Sequence, residues 1–279
     1  MVGMTEDIQT KYNAIKGADF DTSKKDISLA ISVEGLEGTG KTHFALLTCP
    51  LPIVHINFSD RDANIFLYDM DEERRKQVTL YSDPFQAKTS QGWTRAEGQA
   101  ALAALSEIAQ DHLANGKMKG GTFVLDSGSS FWEVVQEVYV APQQEKRQSE
   151  GGKRSGGLEY MQGNLIVNGV ISWLKQQGAH VILTHRKRQD WDAKGPIPGQ
   201  FSAQLNKKVP YLVEVRLDLY KTCEVCGSEF CEKKGHQGRK HWGRIVKFGR
   251  NTQMEGMCFE NPSFDLVYNL YAAGNGGGN

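Results

Sequence analysis

An α/β fold on a mostly parallel sheet, extended by an antiparallel hairpin near the C-terminus, is predicted by three observations. Strand-like apolar segments alternate with helix-like stretches from Ile27 to Thr184. The first strand opens directly into a glycine-rich turn and a helix. Beyond Leu212 the pattern changes to two alternating segments separated by a Cys/His cluster, which reads as a hairpin with a small metal-binding tip.

The elements follow in order. Residues 1–26 are polar and read as an N-terminal extension to a core spanning 27–272. Ile27–Val33 is the first strand. A helix runs from Lys41 to about Thr48, where Pro50 and Pro52 stop it. Ile53–Phe58 is the next strand. Arg95–Ala114 places Ala and Leu at helical spacing, and Asn115-Gly116 ends it. Thr122–Asp126 is a short apolar strand closed by a carboxylate, followed by a helix over Phe131–Tyr139. Gln143–Gly157 is charged and glycine-rich and reads as a loop. A helix over Tyr160–Gln177 leads into strand Val181–Thr184, and His185–Lys208 reads as a long polar loop. Leu212–Tyr220 and Trp242–Phe248 form the antiparallel pair, with residues 221–241 inserted at its tip. The tail 273–279 is nearly all Gly and Asn and is expected to be disordered.

Composition excludes several classes. The 279 residues carry 33 Lys+Arg and 33 Asp+Glu, so no histone-like blanket of positive charge exists, although local basic patches are still allowed. No apolar run approaches the ~18–20 residues that span a bilayer, so no membrane role is expected. Met1–Asp19 lacks the basic-then-apolar layout of a signal peptide, which points to a cytoplasmic, reducing compartment. The five Cys are clustered unevenly, which suits a metal or free thiols better than a disulfide framework.

Gly35-Leu36-Glu37-Gly38-Thr39-Gly40-Lys41-Thr42 fits G-x-x-x-x-G-K-[ST] in a strand–loop–helix setting, with His43 directly after it. Its glycines allow backbone N–H groups to close around phosphate oxygens at the positive end of the new helix. Lys41 would reach the β- and γ-phosphates and Thr42 would hold Mg²⁺. Asp126 closes an apolar strand where a second Mg²⁺-holding group belongs; a strand-end Asp can also simply cap the next helix. Ser127 follows rather than a second acid, so the water-activating carboxylate must come from elsewhere. Asp60, just after the second strand, is the candidate, with Asp62 as competitor and loop solvation as the plain alternative.

Cys223-x-x-Cys226-x₄-Cys231-x₄-His236 has compact spacing for a structural Zn²⁺, since four protein ligands leave no open position for water. His241 competes with His236 for the fourth place. Free thiols in a polar hairpin are the alternative. Residues 221–250 hold eight Lys/Arg against three Glu, so the knuckle is also a candidate contact for nucleic acid, a neighbouring subunit or another protein.

The order of these pieces resembles the RecA-like P-loop NTPase core, and within it the phage RecA/RadA-type ATPases associated with single-strand annealing. The resemblance spans roughly residues 27–270. Val181-Ile-Leu-Thr-His185-Arg resembles the strand whose end senses the γ-phosphate, which implies that role for His185. Val246-Lys247-Phe-Gly-Arg250-Asn-Thr-Gln-Met-Glu-Gly256 resembles the K-x-x-R turn of DnaB-type hexameric helicases. It implies that Lys247 and Arg250 act in trans on a neighbour's nucleotide, and hence a homo-oligomer, ring or filament. In such proteins the loops after the Asp126 and His185 strands hold single-stranded DNA. Here they carry Lys153 and Arg154 in one and Arg186, Lys187 and Arg188 in the other, with Tyr160, Trp191 and Phe201 near enough to stack on bases. The sequence departs from the family at Ser59-Asp60-Arg61-Asp62, where a Glu is usual, and in its Cys-rich hairpin. The implied activity is ATP- and Mg²⁺-dependent single-stranded DNA binding in recombination, annealing or replication, with other proteins of those processes as further candidate partners. The alternative is a nucleotide-gated adaptor with weak hydrolysis. A small-molecule kinase is disfavoured because no Arg-rich lid is visible.

Overall fold

Nine strands form one sheet in this computed structural model, which describes residues 27–58, 63–87, 92–150, 159–193, 195–229, 231, 233, 236 and 238–273. The strands are β1 (Ala30–Gly35), β2 (Ile53–Asn57), β3 (Val78–Tyr81), β4 (Thr122–Asp126), β5 (His180–Asp192), β6 (Gly195–Ala203), β7 (Val215–Cys223), β8 (Arg239–Phe248) and β9 (Cys258–Glu260). Their order is β3-β2-β4-β5-β1-β7-β8-β9, with β6 paired to β5. The pairs from β3 to β7 are parallel, and β8, β9 and β6 add antiparallel edges. The mostly parallel α/β fold with an antiparallel hairpin is therefore present as the sequence predicts.

The helices are α1 (Lys41–His43), α2 (Glu72–Arg75), α3 (Arg95–Leu113), α4 (Gly128–Val135), α5 (Ala141–Ser149), α6 (Tyr160–Gln176), α7 (Val209–Leu212) and α8 (Phe264–Ala273). They cover both sheet faces, which is why the central strands are apolar on both sides. On one face Phe123, Leu125, Val181 and Leu183 pack with Leu105, Val134 and Ile171 from α3, α4 and α6. On the other, Ile31, Val33, Val124 and Ile182 pack with Phe44, Ala45 and Leu46 behind α1, and with Val267 and Leu270 of α8. Burying a side chain of this size contributes about 1.5–3 kcal/mol. The start of α3 is fixed by a capping box, in which Thr94 accepts from the Glu97 N–H and Glu97 accepts from that of Thr94.

Two segments differ from the loops expected of them. Residues 143–149 of the Gln143–Gly157 stretch belong to α5, which begins at Ala141 with Pro142 at a position where its missing N–H costs nothing. His185–Lys208 is largely a hairpin: β5 continues to Asp192 and β6 returns antiparallel to it. Beyond His185 β5 is polar but for Trp191, and in β6 Gly199 breaks the short alternation of Ile197, Phe201 and Ala203, so little in the sequence marks the hairpin; its main-chain ladder does not depend on side-chain type. Strand β1 is also shifted toward the glycine turn relative to Ile27–Val33.

Candidate functional site

The phosphate loop leaves β1 at the carboxyl edge of the sheet, between β5 and β7. Gly35 lies so close to β7 that a Cβ there would meet the Leu219 carbonyl oxygen at 2.5 Å, so only glycine fits. Thr39 closes the turn by donating to the Leu36 carbonyl at 2.8 Å. Gly40 takes a left-handed φ of 99° and turns the chain into α1, whose first N–H groups have no partner within the helix. Helix α1 passes directly into a wider π-turn over Phe44–Thr48.

Lys41 folds back over its own loop. Its Nζ donates to the carbonyls of Gly35 at 2.9 Å and Leu36 at 2.7 Å. Burial lowers its pKa to about 8; the charge of Asp126 opposes this and that of Arg186 adds to it. The first N–H groups of α1, with a half-buried ammonium beside them, fit a nucleotide phosphate chain.

Asp126 is the centre of the buried chemistry. Thr42 Oγ1 donates to its Oδ2 at 2.7 Å and Thr184 Oγ1 to its Oδ1 at 2.5 Å, while His55 Nε2 lies 3.3 Å from Oδ2. Burial alone would raise the carboxyl, but the His55 hydrogen bond and charge, then Thr184 and Thr42, outweigh it and hold the group at about 2. It is therefore a carboxylate at neutral pH. Thr42 and Asp126 are the residues that would hold Mg²⁺, which would supply charge neutralisation to a bound phosphate.

Sequence reasoning missed His55 and Thr184. Thr184 immediately precedes the expected sensor His185, and on a strand adjacent residues face opposite sides. Only Thr184 faces Asp126. His185 is fully buried on the other face, where its Nδ1 lies 3.5 Å from Ser129 Oγ and its Nε2 has no hydrogen-bond partner among the described residues. Its ring presses on the start of α4: a Cβ on Gly128 would come within 2.7 Å of Cε1. Burial lowers its pKa to about 4, and the charges of Arg216 and Lys41 push the same way, so the ring is neutral at pH 7. Asp60, Asp62, Lys153 and Arg154 lie outside the described residues. The other buried carboxylates at this end of the sheet are engaged: Glu34 binds Arg216 at 2.6 and 3.0 Å, and Asp218 binds Lys187 at 2.5 Å and Arg244 at 2.6 Å.

The remaining expected residues fall in two places. Arg186, Lys187 and Arg188 follow His185 on β5. Arg186 and Arg188 are exposed, Lys187 is tied to Asp218, and Trp191 further along is 72% exposed. Lys247 and Arg250 lie at the opposite end of the sheet from Gly35, because Phe248 pairs with Val215 and Val215 with Ile31. Lys247 Nζ donates to the carbonyls of Pro210 at 2.5 Å and Val213 at 2.7 Å. The Arg250 guanidinium sits 4.5 Å from the ring centroid of Tyr271.

The hairpin tip brings together the sulfurs of Cys223, Cys226 and Cys231 and a ring nitrogen of His236, all within 4.8 Å of one another. His236 Nδ1 is 3.6 Å from Cys223 Sγ and 3.4 Å from Cys231 Sγ. Zn–S and Zn–N bonds of about 2.3 and 2.0–2.1 Å at a tetrahedral angle give an edge of about 3.6 Å, so the spacing fits one ion. Backbone N–H groups of Cys226 and Val225 lower the Cys223 thiol to about 6. Cys231 moves the other way: the Lys233 N–H favours its thiolate, but burial and hydrogen bonds to Cys226 and Cys223 outweigh that. The competing ligand His241 lies elsewhere, beside Gly40.

A glycine-rich phosphate cradle at a helix start, with a buried carboxylate holding the motif threonine, defines a P-loop nucleotide site. The chain belongs to the AAA domain family, whose family model matches residues 28–256, and it is thus an AAA-type P-loop ATPase domain. No curated protein sequence shows a significant match to it. Among the described residues no helix is long and apolar enough to cross a membrane.

Proposed function

We propose that this protein is an ATP-dependent, Mg²⁺-requiring ATPase of the RecA-like type that binds single-stranded DNA as a homo-oligomer, in recombination, annealing or replication. One observation carries the reading. Strand β5 runs from Thr184, in contact with Asp126, straight into a solvent hairpin bearing Arg186, Arg188 and Trp191. A change at the phosphate end therefore has a continuous strand along which to reach a surface with two cations and an exposed indole. Cations neutralise a phosphate backbone without sequence preference and indoles stack on bases. The oligomer belongs to this reading because Lys247 and Arg250 lie a strand length from their own phosphate loop, so a role at a nucleotide would have to be at a neighbour's. The thiol cluster suits a reducing cytoplasm.

In this reading Lys41 leaves the carbonyls of Gly35 and Leu36 for the phosphates, Thr42 and Asp126 hold the metal ion, and Thr184 reports the state of Asp126 to β5. ATP hydrolysis measured with and without single-stranded DNA across a salt series tests it. Stimulation that fades as salt rises supports the proposal, because DNA phosphate contacts displace counterions. Turnover indifferent to DNA at every salt concentration would overturn the DNA-binding part. A second reading, a nucleotide-gated adaptor with slow hydrolysis, is favoured by the engagement of Glu34 and Asp218 in ion pairs, which leaves neither carboxylate to activate water. It predicts tight ATP binding with negligible turnover.

A further inference from the structure

The metal cluster and the phosphate loop are two ends of one short piece of sheet. Leu219 of β7 is in register with Gly35, and the β7–β8 ladder continues past it through Tyr220–Trp242, Lys221–His241 and Thr222–Lys240 to Cys223–Arg239. At about 3.3 Å per residue, Cys223 stands roughly 13 Å beyond the level of Gly35, with His241 about halfway. The hairpin thus forms a wall beside the loop, and its upper end is the first metal ligand.

This wall is braced from Tyr220 up to the level of His241. Tyr220 stacks on Trp242 at 14°, and Trp242 Nε1 donates to Thr222 Oγ1 at 2.9 Å. The His241 carbonyl accepts from the Asn261 N–H at 2.8 Å, which ties this point to the end of β9. Above Lys221–His241 the two strands share only two more residue pairs before the tip, where the three thiols and His236 converge. Thiolates this close repel one another without a cation, so the tip is where metal most affects order.

His241 faces the loop. Its Nδ1 lies 3.5 Å from where a Cβ on Gly40 would stand, and its ring makes no side-chain hydrogen bond within the described residues. His43, the residue after the phosphate motif, is depressed by burial and further by His241, so the two imidazoles feel one another beside the cradle.

We propose that the Cys223/Cys226/Cys231/His236 knuckle, loaded with a zinc-class divalent ion, is a clamp that fixes His241 over the phosphate loop as a binding residue for the nucleotide's phosphates. This rests on the nucleotide-binding reading of Gly35–Thr42. His241 adds an imidazole donor from β8, the second strand from β1, to the amides of α1, and the knuckle sets its position. Loss of the metal loosens the upper hairpin and withdraws that donor without touching Lys41, Thr42 or Asp126.

The test is zinc content by elemental analysis together with affinity for a fluorescent ATP analogue in Mg²⁺, on the full chain. His241→Ala is expected to retain about one zinc per chain and bind nucleotide about tenfold more weakly, as for a lost hydrogen bond to a charged group. Cys226→Ser is expected to lose zinc and weaken binding by the same factor, and the double variant to weaken it no further. Should Cys226→Ser fold poorly, a chelator selective for zinc over Mg²⁺ applied to the wild type gives the same comparison, with recovery on zinc re-addition. Wild-type affinity in His241→Ala, or in metal-stripped protein, overturns the clamp. Absence of Lys41-dependent binding by the wild type overturns the underlying nucleotide reading instead, and the clamp with it.

Discussion

Replacing Asp126 by Asn keeps the shape of the side chain and removes its charge. In the native protein the carboxylate accepts from Thr42, Thr184 and His55, and its pKa falls from 3.8 to about 2. At about 1.4 kcal/mol per pKa unit, the fold favours the charged form by about 2 kcal/mol. Because the folded value lies below the unfolded one, that stabilisation is complete above about pH 4 and is lost as pH falls toward about 2. The introduced amide resembles the neutral form at every pH, so Asp126→Asn should cost about 2 kcal/mol at neutral pH and about half that near pH 3. Urea unfolding followed by tryptophan fluorescence reads both values; with a slope of about 2 kcal/mol/M the midpoint at neutral pH drops by about 1 M. Mg²⁺-dependent nucleotide binding should be lost in parallel. Equal midpoints at neutral pH, or a gap unchanged on acidification, would refute the network as the source of the depressed pKa.

Other substitutions and conditions probe separate parts. Lys41 is charged below about pH 8, so ATP affinity should be flat from about pH 6.5 to 7.5 and fall by up to about tenfold per unit above pH 8; a flat titration to about pH 9.5 would contradict its lowered pKa. Arg250→Ala should abolish turnover and spare nucleotide binding if it serves a neighbour's site; full turnover would remove that role, and a thermal melt shows how much the lost Tyr271 contact costs. Thr94→Ala removes the capping box of α3 and should cost about 1 kcal/mol by urea unfolding, leaving nucleotide affinity unchanged.

The parts of the site that lie close together in sequence were legible there. Gly35–Thr42 announces its geometry because backbone amides do the binding and glycine is needed at Gly35 and Gly40 for steric reasons. The Cys/His spacing announces a cluster because a short tip has few other uses for three thiols. Asp126 was legible from its place at the end of an apolar strand. His55 and Thr184 were not, since they meet Asp126 only through the β2-β4-β5 order of the sheet, which no local pattern encodes. The β5–β6 hairpin was hidden for a different reason: beyond His185 β5 is polar but for Trp191, and Gly199 breaks the short apolar alternation of Ile197, Phe201 and Ala203 in β6. The sequence offers His241 only as a metal ligand, because its approach to Gly40 depends on the register of β8 on β7 and of β7 on β1.

The proposed function requires a Mg²⁺–nucleotide in the cradle between Gly35 and Thr42 under the control of Asp126. Calorimetric titration of the wild type, Lys41→Ala and Asp126→Asn with ATP, each with and without Mg²⁺, tests it most directly. The expected results are saturable wild-type binding that Mg²⁺ strengthens, no detectable binding by Lys41→Ala, and binding by Asp126→Asn that no longer responds to Mg²⁺. Wild-type affinity in Lys41→Ala, or an undiminished Mg²⁺ response in Asp126→Asn, would contradict it.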